Sequence, residues 1–207
     1  MANGDLMLFP TRVHFAPLGA PKLSDLNQKL LQECYAFQEI DAAGQRWSKK
    51  NYLFGYTSYG SITDLPDRSP TFARLKKALD KAVSTYARSL EMDLGEGKLN
   101  LSSCWINIMG QGTHHSFHLH PLSAISGTYY VQTPKNSGNF KLEDPRLGLF
   151  MASPPRPPRA KRENQRFVSL TPKPGHVVLF ESWLKHEVPA NHSTEERVSI
   201  SFNYDWV

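Results

Sequence analysis

The sequence predicts an α+β domain in which helices of the first half support a jelly-roll barrel built from the second. Two stretches of helical periodicity lie before residue 100. From about residue 100, short segments rich in β-branched and aromatic residues alternate with Pro, Gly, Asn and Ser. The 207 residues suit one domain with a sizeable core. We therefore read 1–207 as a single domain, with an N-terminal strand and supporting helices over 1–100 and the barrel over 101–207.

The first helix is expected to start near Ser24, a good N-cap residue, with Leu23, Leu26, Leu30, Cys34 and Phe37 as its apolar stripe. The second opens at Ser69-Pro70, a cap followed by proline at the first helical position. Phe72, Leu75, Leu79, Val83, Tyr86 and Leu90 form its buried face, and Gly95 and Gly97 end it. Strands are expected over 101–109, 124–132, 138–142, 166–171, 175–181 and 197–205. Between them, Ser153-Pro154-Pro155-Arg156-Pro157-Pro158-Arg159 can form neither a helix nor a central strand. It marks an exposed basic, Pro-rich loop over about 153–166.

Composition narrows the function classes. No apolar run is long enough to span a bilayer, so no membrane partner is expected. Met1-Ala2-Asn3-Gly4-Asp5 lacks the basic start and apolar stretch of a secretory signal, which reads as intracellular and cytoplasmic. Cys34 and Cys104 are too few for a disulfide framework or a four-thiolate zinc site, and read as buried small hydrophobes. The net charge of +5 is concentrated in Arg156, Arg159, Lys161, Arg162 and Arg166. A nucleic-acid partner is therefore not expected.

The chemistry-bearing residues are histidines. In His114-His115-Ser116-Phe117-His118-Leu119-His120-Pro121, the i, i+2 spacing along a strand would place His118 and His120 on one face, able to grip one ion. His186 lies just past the apolar strand Val177–Phe180 and supplies a candidate third ligand. Eleven residues on, Arg197 opens a strand whose Val198, Ile200, Phe202 and Tyr204 alternate with Arg197, Ser199, Ser201 and Asn203. A polar face of this kind either meets water or lines a barrel that binds a dicarboxylate, with Arg197 forking to a carboxylate and Ser199 adding a bond.

These residues carry a resemblance. Trp105-Ile106-Asn107, His118-Leu119-His120-Pro121, Ser126-Gly127-Thr128-Tyr129-Tyr130-Val131 and Asp144-Pro145-Arg146 belong to it. So do Leu179-Phe180-Glu181-Ser182-Trp183-Leu184-Lys185-His186 and Glu196-Arg197-Val198-Ser199-Ile200-Ser201-Phe202-Asn203. Over essentially its second half the chain resembles the 2-oxoglutarate and Fe(II) dependent oxygenases, and Leu8-Phe9-Pro10-Thr11 resembles that family's start.

The resemblance implies a double-stranded β-helix, with Fe(II), 2-oxoglutarate and O2 as cofactor and co-substrates. It also implies succinate and carbon dioxide as products, coupled to oxidation of a small-molecule or peptide substrate. By position, His118 and His186 are iron ligands and Arg197 holds the far carboxylate of 2-oxoglutarate. His120 falls where the wider superfamily has a carboxylate, so the third ligand is either His120, favoured by its spacing, or Asp144 or Glu181. The sequence departs from the pattern at Glu181, where the family tends to have Pro, and in the basic loop.

Asn107 and Tyr130 are further candidates for the 2-oxoglutarate site. Arg156, Arg159, Trp105, Asp144 and Arg146 are candidates for substrate contact, with an Asp144–Arg146 loop pair as the plain alternative. Two rival readings are a three-histidine cupin-type oxygenase that does not use 2-oxoglutarate and a non-enzymatic metal- or ligand-binding jelly roll.

Overall fold

The computed structural model describes residues 4, 6–146, 148 and 151–207. Apart from Gly4, the segment Met1–Asp5 read for a leader lies outside them.

Four helices are described: α1 (Leu23–Ile40), α2 (Ala42–Asn51), α3 (Leu65–Arg68) and α4 (Pro70–Ser89). The α4 start is as expected, with the Ser69 hydroxyl accepting from the Thr71 and Phe72 amides. The α1 start is not. Lys22 occupies the cap position without a side-chain bond, and Ser24 lies inside the helix, donating to Asp25. Helix α2 follows after a single residue, Asp41, whose carboxylate caps it at the Gly44 amide.

Among the described residues, ten strands form two antiparallel sheets. They are β1 (His14–Pro17), β2 (Gly55–Thr57), β3 (Leu99–Met109), β4 (His115–His118) and β5 (Ile125–Gln132), then β6 (Phe140–Glu143), β7 (Phe167–Leu170), β8 (His176–Glu181), β9 (His186–Val188) and β10 (Arg197–Trp206). The larger sheet runs β1-β8-β5-β10-β3-β2 and the smaller β4-β9-β6-β7. The six strands expected from sequence correspond to β3, β5, β6, β7, β8 and β10.

The two faces of the larger sheet have different jobs. Its outer face and helices α1, α3 and α4 share a core that includes Leu30, Leu75, Leu79, Ile106, Ile200 and Phe202. Its inner face meets the smaller sheet through a second cluster with Met109, Tyr130, Phe140, Val178 and Phe180. Because side chains alternate along a strand, the apolar half of β10 is committed to the helices. Arg197, Ser199, Ser201 and Asn203 are thereby turned into the space between the sheets. The alternation of Tyr129 and Tyr130 works the same way: Tyr129 joins the helix-side core and Tyr130 the inner cluster. Among the described residues, no helix is long and apolar enough to cross a membrane.

Candidate metal centre

Three histidines converge at one end of the inter-sheet space. His118, His120 and His186 each offer a ring nitrogen, and these atoms lie within 4.8 Å of one another. His118 ends β4 and His186 starts β9, directly opposite it in the pairing of the two strands. His120 does not arrive by strand spacing as expected, because β4 ends at His118. It sits in the following turn, anchored by its own amide donating to the Ser182 carbonyl at 3.0 Å.

The second nitrogen of each ring explains the arrangement. His118 Nδ1 lies 2.7 Å from the Ser116 carbonyl, and His186 Nδ1 lies 2.8 Å from the Leu184 carbonyl. A carbonyl oxygen only accepts, so Nδ1 carries the proton in both rings and Nε2 keeps its lone pair. His120 Nδ1 meets Asn203 Oδ1 at 2.7 Å, an oxygen that also accepts from Ser126 Oγ at 2.8 Å. Ser126 in turn meets Ser182 Oγ at 2.7 Å. Three oriented Nε2 lone pairs fit a divalent transition metal well, since outer hydrogen bonds of this kind fix ring orientation and raise ligand basicity.

Burial, and then the neighbouring His118, push His186 down to about 3, so it stays neutral at ordinary pH. His120 is also shifted down by burial, against its bond to Asn203. The rings of Phe140 and Phe180 pack on His186 at 4.9 and 4.6 Å.

The alternative ligands lie elsewhere. Asp144 is taken by Arg146 in a two-bond pair at 3.0 and 2.7 Å, the plain loop pairing. Glu181 alternates with Phe180 on β8, so it turns to the helix side, toward Tyr86.

Arg197 is fully buried on the inner face. Its Nη1 donates to the Gly138 and Ser137 carbonyls at 3.2 and 3.5 Å. Gly138 adopts φ +84°, and an added Cβ would lie 2.4 Å from the Pro189 carbonyl, so the turn that presents this acceptor depends on glycine. No carboxylate pairs with Arg197 among the described residues. Its Nε, the Tyr130 hydroxyl and the Ser137 hydroxyl are buried without a hydrogen bond of normal geometry. Burial lowers the Arg197 pKa from its ordinary value, with Tyr130 and Tyr52 opposing. A buried cation with unmade bonds and no acid suits an anionic ligand. Ser199 is buried on the same face, opposite Asn107 and Tyr130.

The other candidates are placed as follows. Asn107 lines the cleft that leads to the histidines and also has protein partners: Thr57 Oγ1 donates to its Oδ1 at 2.9 Å, and its Nδ2 donates to Ser201 Oγ at 3.1 Å. Arg156, Arg159 and Arg146 do not line the cleft that leads to the histidines, and neither does Asp144. Trp105 does line it, 5.9 Å from the His120 ring.

This cleft has a volume of about 640 Å³ and opens at His118 and His120. Sequence reasoning missed the wall contributed by α2, including Trp47 and Lys50. It also missed Tyr52, whose hydroxyl lies 2.6 Å from His115 Nε2. Asn203 had been placed on the polar face of the last strand, but its role beside His120 was not foreseen.

Residues 103–203 match the protein family described as "Putative 2OG-Fe(II) oxygenase". No curated protein matches the chain. Among solved structures, the non-heme alpha ketoglutarate dependent epimerase SnoN from nogalamycin biosynthesis is similar, with a TM-score of 0.63 at 16% identity over 94% of this chain and 76% of that one. HygX from Streptomyces hygroscopicus, solved with nickel, 2-oxoglutarate and hygromycin B bound, gives 0.61 at 16% identity over 94% and 83%. A Pseudomonas putida prolyl-4-hydroxylase gives 0.59 at 16% identity over 94% and 92%. At these identities the likeness establishes a shared fold.

Proposed function

We propose, from the match of residues 103–203 to a 2OG-Fe(II) oxygenase family, that this chain is an Fe(II) and 2-oxoglutarate dependent oxygenase and that it oxidises a C–H bond of its primary substrate, with hydroxylation as the default outcome. His118, His120 and His186 would hold one Fe(II) through Nε2, and Arg197 would hold the far carboxylate of 2-oxoglutarate. The whole of 1–207 works as one domain on this reading, the N-terminal helices bracing the larger sheet.

The observation that carries the proposal is the set of three Nε2 lone pairs, each fixed by a hydrogen bond at Nδ1. Bound Fe(II) supplies the redox chemistry by which dioxygen oxidises 2-oxoglutarate to succinate and carbon dioxide and adds an oxygen atom to the substrate. The chain's own part is placement and exclusion. Arg197, with Ser199 and the Tyr130 hydroxyl nearby, offers donors to a carboxylate at a buried position on the inner face. Met109, Phe140, Val178 and Phe180 keep water from that end. The unmet Nε donor of buried Arg197 and the lack of a paired carboxylate among the described residues favour this reading over a three-histidine oxygenase that does not use 2-oxoglutarate. Two free, buried thiols, Cys34 and Cys104, support a reducing, cytoplasmic setting.

The test is succinate formation from 2-oxoglutarate under air with Fe(II). Succinate is expected from the parent chain, with far less from Arg197→Met at limiting 2-oxoglutarate. Equal turnover by the two, or no succinate from the parent with any candidate substrate, would contradict the proposal.

A further inference from the structure

We infer that the primary substrate is a small organic anion with a flat, aromatic body, its ring held by Trp47, Tyr59 and Trp105 and its carboxylate or phosphate by Lys50. The inference rests on the oxygenase reading and adds the substrate class to it.

The first support is the absence of acids from the cleft lining among the described residues. Its lining comes from two stretches, 42–63 and 97–142, joined by Asn203 of β10. Neither stretch contains an Asp or Glu. Helix α2 carries Arg46, Lys49 and Lys50, and Lys50 faces the cleft.

The second support is charge balance. Three imidazoles are neutral ligands, so Fe(II) keeps both positive charges and Arg197 adds a third. The two carboxylates of 2-oxoglutarate cancel two of these. One positive charge remains unbalanced, and Lys50 adds to it at the mouth. A carboxylate in place of His120 would have removed the excess. In a cleft with low-dielectric walls such an imbalance attracts an anion and repels a cation.

The third support is the shape of the walls. The Tyr59 and Trp105 rings meet edge to face, with centroids 5.1 Å apart, and Trp105 leads on to His120. The Trp47 indole lies on Gly60, where an added Cβ would come within 3.1 Å of it, so this ring is seated by close packing. Aromatic walls take a flat ring well and would equally suit an organic cation. The lack of acids decides between them.

The experiment measures binding of 2-naphthoate, 1-naphthyl phosphate and 2-naphthylmethylamine to the full chain. Calorimetry and quenching of tryptophan fluorescence report it, both without metal and with Ni(II) plus 2-oxoglutarate. At least one naphthyl anion is expected to bind more tightly than the amine in both states, and the tighter anion identifies the preferred group. Lys50→Glu should weaken the anions about fivefold, within the range of an exposed ion pair, and added salt should do the same. Lys98→Glu, away from the cleft, should leave them unchanged. Amine binding as tight as that of the anions, no naphthyl binding at all, or anion affinity unmoved by Lys50→Glu would overturn the inference. Failure of Ni(II) or 2-oxoglutarate to bind would instead count against the oxygenase reading, while the metal-free chain still decides the anion preference.

Discussion

At the residue scale, His120 matters most, because it stands where a carboxylate was the alternative and its Nδ1 is already spent on Asn203. His118→Ala, His120→Ala and His186→Ala are each expected to lose stoichiometric Fe(II), since three protein ligands leave no redundancy. His120→Asp should keep it. Metal content after anaerobic loading and desalting reads this out; a His120→Ala chain that retains iron would remove His120 from the ligand set. Arg197 is the second case. Arg197→Met should raise the apparent KM for 2-oxoglutarate about 10- to 150-fold, the range for a charge-assisted bond of roughly 1.5–3 kcal/mol. Iron affinity, measured in the same preparation, should not move. An unchanged KM would mean that the buried guanidinium serves packing alone.

At the element scale, legibility followed the periodicity of the apolar residues. Helix α4 could be read because seven of its residues are buried and Ser69 marks its start. Ser69→Ala should cost about 1 kcal/mol in urea unfolding and leave metal affinity intact, because the cap lies on the helix side of the larger sheet. Loss of metal binding in that variant would tie the helix layer to the site more closely than the fold suggests. Helix α2 was missed because it buries only Gly44 and Ser48, so it has no apolar stripe, yet it supplies a wall of the cleft. Strands β1 and β2 are short edge strands with little alternation to read. The basic loop is the opposite case. Its composition drew attention, but its described residues do not line the cleft. Changing Arg156, Arg159, Lys161 and Arg162 together to Ser should therefore leave 2-naphthoate affinity within about twofold, since exposed charges at a distance are screened. A larger loss would restore the loop as a substrate contact.

At the scale of the whole molecule, the fold divides labour between two cores. One fixes the larger sheet to the helices, and the other isolates the inner face on which Arg197, Ser199 and Asn203 stand. The alternation in β10 marked two unlike faces but left open whether the polar one met water or a barrel interior, and the two cores decide for the interior. His186 could be named as a candidate from its place after an apolar strand, but no local spacing joins it to His118 and His120, so the resemblance was needed to place all three in one site. The most direct test is an anaerobic absorption measurement on the full chain. Fe(II) followed by 2-oxoglutarate should produce a weak visible charge-transfer band that saturates at one equivalent of iron. The band should be absent from His186→Ala and should require more 2-oxoglutarate in Arg197→Met. A parent chain that binds Fe(II) but develops no 2-oxoglutarate-dependent band would contradict the assignment of this site.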